Sequence, residues 1–116
     1  MIDKNKIQEY NNQFKEAPVE EVLSFFLGEC KDRIALSNSM SIEDQVLLDM
    51  LLKIDKQARV FTLDTGRLFP ETYNLIDKTN LKYNIKIEVL FPDASEVENM
   101  VNTKGMNLFY ESIENR

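Results

Sequence analysis

The chain has 116 residues, which is one domain at most and long enough to bury a core without staples. Its net charge of −6, with Lys and Arg scattered, argues against nucleic acid as a partner, because phosphate backbones call for basic patches. It has no histidine and a single cysteine, Cys30, so the commonest general base is missing and Cys/His zinc sites and an internal disulfide are excluded.

The N-terminal stretch MIDKNKIQEYNNQ is polar and is no secretory signal, and no later run approaches the roughly 20 apolar residues of a membrane span. No membrane is expected, and the cytoplasm is the expected compartment. The first 30 residues read as helical: Ile7, Tyr10 and Phe14 recur at helix spacing, and PVEEVLSFFL opens with Pro18 at a first-turn position. Cys30, at the end of that helix, reads as a small buried or half-buried apolar side chain. RIALS (33–37) suits a buried strand. IEDQVLLDMLLK (42–53) is a helix apolar over most of its circumference, through Ile42, Val46, Leu47, Met50 and Leu51, which predicts cover on more than one side.

RVFTL (59–63) reads as a second buried strand. The segment 69–83 is an amphipathic helix with Phe69, Tyr73 and Ile76 on one face. IKIEVLF (85–91) alternates, with Ile85, Ile87 and Val89 inward and Lys86 and Glu88 outward, as on the rim of a sheet. Ser95 and Glu98 form a capping box for a helix through Val97, Met100 and Val101, stopped at Lys104–Gly105. A last short helix is expected from Leu108 to the end.

Strands and helices alternate, which predicts a doubly wound α/β sheet, parallel with right-handed crossovers and incomplete, of about three strands in the order 3-2-1. The first strand then has a bare edge and lies at the topological switch point, where such sheets bind ligands outside the carboxyl ends of their strands. A bare parallel strand invites association, so a homo-oligomer is expected.

The loop at the switch point, SNSMSIED (37–44), holds three serines and an asparagine before a helix N-terminus, a setting suited to an anion. It is neither a Walker loop nor a dinucleotide fingerprint. Two readings stand side by side: a phosphate site, or a capping box of Ser41 and Asp44 alone. Glu43 and Asp44 favour the helix and repel a bound phosphate. The neighbouring strand ends in LDTGRLFPETY (63–73). There Asp64 and Thr65 offer an acceptor and a hydroxyl, Gly66 permits close approach, and Arg67 is a cation for an anion. The opposing reading is an Asx-turn at Asp64, with Leu68 and Phe69 in the core. Two polar loops side by side point to a nucleotide cleft, and neither loop shows a nucleophile or a proton-transfer pair. The tail GMNLFYESIENR (105–116) either docks Leu108, Phe109 and Tyr110 of the last helix on the sheet or has a lid or ligand-stacking role.

Taken in order, SNSMSIEDQVLL, LDTGRLFPETYNLID and GMNLFYESIENR resemble the N-terminal half of the phosphoadenylyl-sulfate/adenylyl-sulfate reductase family, over residues 30–116. The resemblance implies an adenine nucleotide α-hydrolase-like fold. It also implies reduction of an adenosine phosphosulfate to sulfite, with thioredoxin or glutaredoxin as electron donor, in sulfate assimilation towards cysteine biosynthesis. On that likeness, Ser37, Asn38, Ser39, Met40 and Ser41 form a modified phosphate loop, and Leu63, Asp64, Thr65, Gly66 and Arg67 help hold the adenosine moiety. Ser41 stands where the family's loop carries glycine. Glu43–Asp44–Gln45 and NLFYESIENR look more like the branch that uses adenosine 5′-phosphosulfate and carries a 4Fe–4S cluster than the branch that uses the 3′-phosphorylated form. No metal or cofactor is expected on this chain itself. The cluster, the downstream basic residues and the nucleophilic cysteine are expected in a C-terminal half beyond Arg116, and residues 1–116 are expected to be inactive alone. Two other classes remain for comparison. A relative of the small subunit of sulfate adenylyltransferase would need glycines and an acid that SNSMSI lacks, and a non-catalytic interaction module would fit the missing cysteines.

Overall fold

A computed structural model describes residues 3–115. Local chemistry marks each element. Helix α1, Lys4–Gln13, starts where the Asp3 carboxylate accepts the Lys6 amide at 2.8 Å. Pro18 stands at the N-cap of α2, Val19–Cys30, one residue before the first helical position. A 3-10 turn, Lys31–Arg33, leads into strand β1, Ala35–Ser37, and helix α3 covers Ile42–Ile54. Strand β2, Arg59–Leu63, is followed by α4, Pro70–Tyr83, which has Pro70 at its start and the left-handed Asn84 (φ 52°) at its end. Strand β3, Glu88–Leu90, helix α5, Ala94–Lys104, and a 3-10 turn, Leu108–Tyr110, complete the chain.

The sheet is parallel, with β2 in the middle, so the order is the 3-2-1 expected. Ala35 pairs with Arg59 and Ser37 with Phe61; Phe61 pairs with Glu88 and Leu63 with Leu90. The core joins Leu48, Leu51 and Leu52 of α3 to Val60 of β2, Ile76 of α4 and Ile87, with Leu23 and Leu27 of α2 packed against it. Tyr10 of α1 and Phe14 at its C-cap meet Phe25 and Phe26 of α2 edge-on or tilted, at centroid distances of 5.0 to 5.7 Å. Those rings are what hold α1 to α2.

Several expectations are corrected. Strand β1 is not buried: Ala35 and Ser37 are exposed, because no described strand lies beside that edge. The faces of α3 and α4 are only partly covered, with Ile42 83% and Phe69 76% exposed and Val46 also in solvent. Helical periodicity marks an apolar face but says nothing of whether another element reaches it. Alternation in 85–91 is as read, with Ile87 buried and Lys86 and Glu88 exposed, although ladder pairing is confined to Glu88–Leu90. Helix α5 is capped by Asp93, whose carboxylate takes the Glu96 amide at 3.0 Å and the Ser95 hydroxyl, so Ser95 is not the cap. The tail forms one 3-10 turn rather than a helix to the end.

The molecule measures 48 × 38 × 23 Å and has a radius of gyration of 17.8 Å. A compact chain of this length has a radius of roughly 13 Å. Its accessible surface is 9177 Å², against about 6,600 Å² for a compact monomer of this size.

Candidate functional site

Loops β1–α3 and β2–α4 leave the sheet side by side at the carboxyl ends of their strands. Asn38 begins the first loop and fixes it. Its amide donates to the Phe61 carbonyl at 2.8 Å, continuing the ladder, and its side chain is buried, 1% exposed. Asn38 Oδ1 accepts the Met40 amide at 2.7 Å, closing an Asx-turn. Asn38 Nδ2 donates to Gln45 Oε1 at 3.3 Å, and Gln45 Nε2 donates to Thr79 Oγ1 at 2.9 Å. This polar chain runs from the loop across α3 to α4, and every member has a partner.

Met40 takes the left-handed conformation, φ 66°, with its side chain in the core. Ser41 is extended at φ −72°, a conformation open to any residue. The left-handed turn is made at Met40. It also overturns the Ser41–Asp44 capping box. Ser41 makes no side-chain cap bond, and the Asp44 carboxylate instead accepts the Ser39 amide at 2.7 Å and the Ser39 hydroxyl. Ser41 Oγ lies 2.9 Å from Ser39 Oγ. The Ser39 hydroxyl, then its amide, then the Ser41 hydroxyl hold the Asp44 carboxyl below the usual carboxylate range.

In the second loop the Asp64 amide donates to the Leu90 carbonyl at 2.9 Å, and the carboxylate is buried, 6% exposed. Its Oδ1 accepts the Gly66 amide at 2.7 Å, in the Asx-turn that was the alternative reading, and the Tyr73 hydroxyl at 2.9 Å. Gly66, at φ 80°, needs the freedom that only glycine has cheaply. Donation to Asp64, then burial, pushes the Tyr73 phenol above its ordinary range. The Arg67 guanidinium turns to the tail, where it donates to the Met106 carbonyl and lies 4.5 Å from the centre of the Phe109 ring. Leu108, fully buried, anchors that tail, and Asn115 Nδ2 donates to its carbonyl at 2.8 Å.

Between the two loops lies a cleft of about 260 Å³. Ser37, Asn38, Ser39 and Asp44 form one wall, and Thr62, Leu63, Leu68 and Thr72 the other. Four of the residues singled out from sequence line it: Ser37, Asn38, Ser39 and Leu63. Met40 faces the core, Ser41 stands at the start of α3, Asp64 and Gly66 shape the turn, Thr65 is exposed, and Arg67 is engaged by the tail. Asp44, Thr62, Leu68 and Thr72 were not singled out as site residues; alternation along β2 and the first turns of α3 and α4 were the available signals. Among the described residues no group of three or more Cys, His, Asp or Glu side chains can hold a metal, so the residues present do not fit an iron–sulfur cluster. No helix among them is long and apolar enough to cross a membrane.

A small parallel α/β sheet with a polar cleft at the carboxyl ends of its strands is the architecture of a nucleotide-binding domain. The model of the phosphoadenosine phosphosulfate reductase domain matches residues 33–116, and the chain belongs to that family. Among curated proteins it is similar to a probable 5′-adenylylsulfate reductase 1, chloroplastic, of Oryza sativa subsp. japonica, with 51% identity over 69 residues, covering 60% of this chain and 14% of that protein. The chloroplastic 5′-adenylylsulfate reductase 3 of Arabidopsis thaliana is 37% identical over 111 residues, covering 96% of this chain and 24% of its own. An adenosine 5′-phosphosulfate reductase of Pseudomonas aeruginosa is 50% identical over 68 residues, 59% of this chain and 26% of that one. The chain thus spans about a quarter or less of the length of these relatives.

Proposed function

We infer that residues 1–116 are the N-terminal nucleotide-binding portion of an adenosine 5′-phosphosulfate reductase. The observation that carries this reading is the cleft between the 37–41 and 63–67 loops, in a chain whose relatives are named for that substrate. The whole enzyme takes two electrons from a dithiol donor of the thioredoxin or glutaredoxin kind. It splits adenosine 5′-phosphosulfate into sulfite and AMP as the donor becomes a disulfide.

This chain supplies binding rather than bond cleavage. Asn38 holds the first loop in its turn, leaving Ser37 and Ser39 on the cleft wall for the phosphosulfate. The turn at Asp64 and Gly66, locked by Tyr73, sets the opposite wall for the adenosine. Leu63 and Leu68 give that wall an apolar surface suited to a base. Attack on sulfur calls for a thiolate. Cys30 ends α2 before β1 begins, at the opposite end of that strand from the cleft, so the nucleophile comes from elsewhere in the enzyme.

The proposed setting is cytoplasmic. The proposed assembly is a homo-oligomer, supported by the bare β1 edge and by the surface in excess of a compact monomer. Calorimetric titration tests the function: adenosine 5′-phosphosulfate binds, the 3′-phosphorylated form binds more weakly, and ATP is discriminated against. Absence of binding by all three would hand the chain to the non-catalytic module reading, which the lone Cys30 favours. Preference for the 3′-phosphorylated form would move it to the other branch. Sedimentation equilibrium reads the assembly, and a clean monomer would remove the oligomer.

A further inference from the structure

We infer that Thr79 of α4 is a positioning residue for the β1–α3 loop, acting through Gln45 and Asn38. The role rests on the reading of the cleft as a nucleotide site. It begins from a backbone donor whose sense is fixed. The Met40 amide meets Asn38 Oδ1 at 2.7 Å, and an N–H there requires an acceptor. With its oxygen committed, Asn38 turns Nδ2 to Gln45, so the Gln45 atom that meets it at 3.3 Å is Oε1. Gln45 Nε2 therefore faces α4 and needs an acceptor in its turn. Thr79 Oγ1 is that acceptor, at 2.9 Å, on a side chain only 4% exposed. Neither amide can flip without setting two donors face to face.

Threonine suits the end of this series. A hydroxyl accepts and donates at once, and a threonine inside a helix can give its proton to a carbonyl of the preceding turn. Its lone pairs then serve Gln45. An apolar residue of the same shape would leave Nε2 without an acceptor and release Gln45, which is half-buried, towards water. Asn38, 1% exposed, has no such escape. It would keep one partner of two, and the left-handed Met40 turn beside Ser37 and Ser39 would lose part of its brace. The same helix carries Thr72 on the opposite wall and Tyr73, which holds Asp64. One helix thus braces both loops, and the separation of the two cleft walls is tied to it.

The whole chain and its Thr79→Val, Thr79→Ser and Ile76→Val variants are titrated with adenosine 5′-phosphosulfate, with amide spectra followed by NMR. Valine copies the shape of threonine without the acceptor, serine keeps the acceptor, and Ile76→Val trims the core on the same helix. In Thr79→Val the affinity is expected to fall roughly fivefold. The Gln45 side-chain amide should move to a solvent-like shift and the Met40 amide should exchange faster. Serine is expected to restore all three, and Ile76→Val to leave affinity and shift as in the parent. Unchanged Gln45 and Met40 signals in Thr79→Val overturn the proposal, as does an unchanged affinity. An equal loss of affinity in Thr79→Ser or in Ile76→Val also overturns it, since packing or general stability would then be the cause. Should the valine variant not fold, Gln45→Leu cuts the series at a half-buried position. The same fall in affinity and faster Met40 exchange are expected of it, and parent-like values overturn the proposal. Failure of the parent to bind adenosine 5′-phosphosulfate refutes the nucleotide function, whereas the Gln45 and Met40 signals judge Thr79 by themselves.

Discussion

Replacing Asn38 with alanine tests the framework on which the first loop is built. The side chain is 1% exposed and serves two partners, the Met40 amide at 2.7 Å and the Gln45 carbonyl oxygen at 3.3 Å. The Met40 amide is buried, and leaving it unpaired costs about 2 kcal/mol. Gln45 is half-buried and regains water, so its loss adds only about 0.5–1 kcal/mol. Met40 is already in a left-handed conformation that a non-glycine residue holds only under constraint, and the Asx-turn is that constraint. A destabilisation of about 3 kcal/mol is therefore expected, and for a chain of this length it lowers Tm by roughly 12 °C. Thermal and urea unfolding followed by far-UV circular dichroism, on parent and variant together, measure it. A loss below about 1 kcal/mol with an unchanged urea slope would refute the reasoning, since the Met40 amide would then be satisfied without Asn38.

Tyr73→Phe removes the phenol that donates to Asp64; in the parent, ultraviolet titration should show a tyrosine ionising above the ordinary tyrosine range, and that step should vanish in the variant. Leu108→Ala empties a fully buried position beneath the tail, with an expected loss of about 3 kcal/mol. Its signature is faster tryptic cleavage after Lys104, and an unchanged cleavage rate would contradict the docked tail. Asp93 caps α5, and donation from the Ser95 hydroxyl and then the Glu96 amide depresses its folded pKa. Its stabilising contribution is thus fully present above the unfolded value of about 3.9 and is lost as pH falls through the lower folded value. An Asp93→Ala variant should accordingly show a shallower acid-side fall in stability, and the same slope as the parent would count against the cap.

The order of elements and the strand order were legible because each rests on local chemistry. Alternation at Ile85, Ile87 and Val89 and apolar spacing in α3 and α4 are properties of neighbouring residues. The turn at Asp64–Gly66 was legible for the same reason: an acid two residues before a glycine closes on itself wherever it stands. Contacts made at a distance were not. Nothing in RLFPETY tells that Arg67 meets Met106, 39 residues later. Ser41 and Asp44 have the spacing of a capping box, but the left-handed Met40 turns the Ser39 amide towards Asp44, and a backbone angle is not written in a spacing. Ile42 and Phe69 show the converse, since their apolar character is visible in sequence while the lack of cover over them is a fact of tertiary structure.

The extended outline has a thermodynamic corollary. Heat capacity and denaturant slope both scale with the area that unfolding newly exposes. A compact chain of this length would show a heat-capacity increment of roughly 1.5 kcal/mol/K. With 9177 Å² of surface already in water in the native state, this chain has less left to expose. Its unfolding should therefore be broad in temperature and shallow in urea, with a stability curve flatter than its length implies. Whatever covers the bare β1 edge and the exposed faces of α3 and α4 would sharpen both transitions in proportion to the area it removes from water.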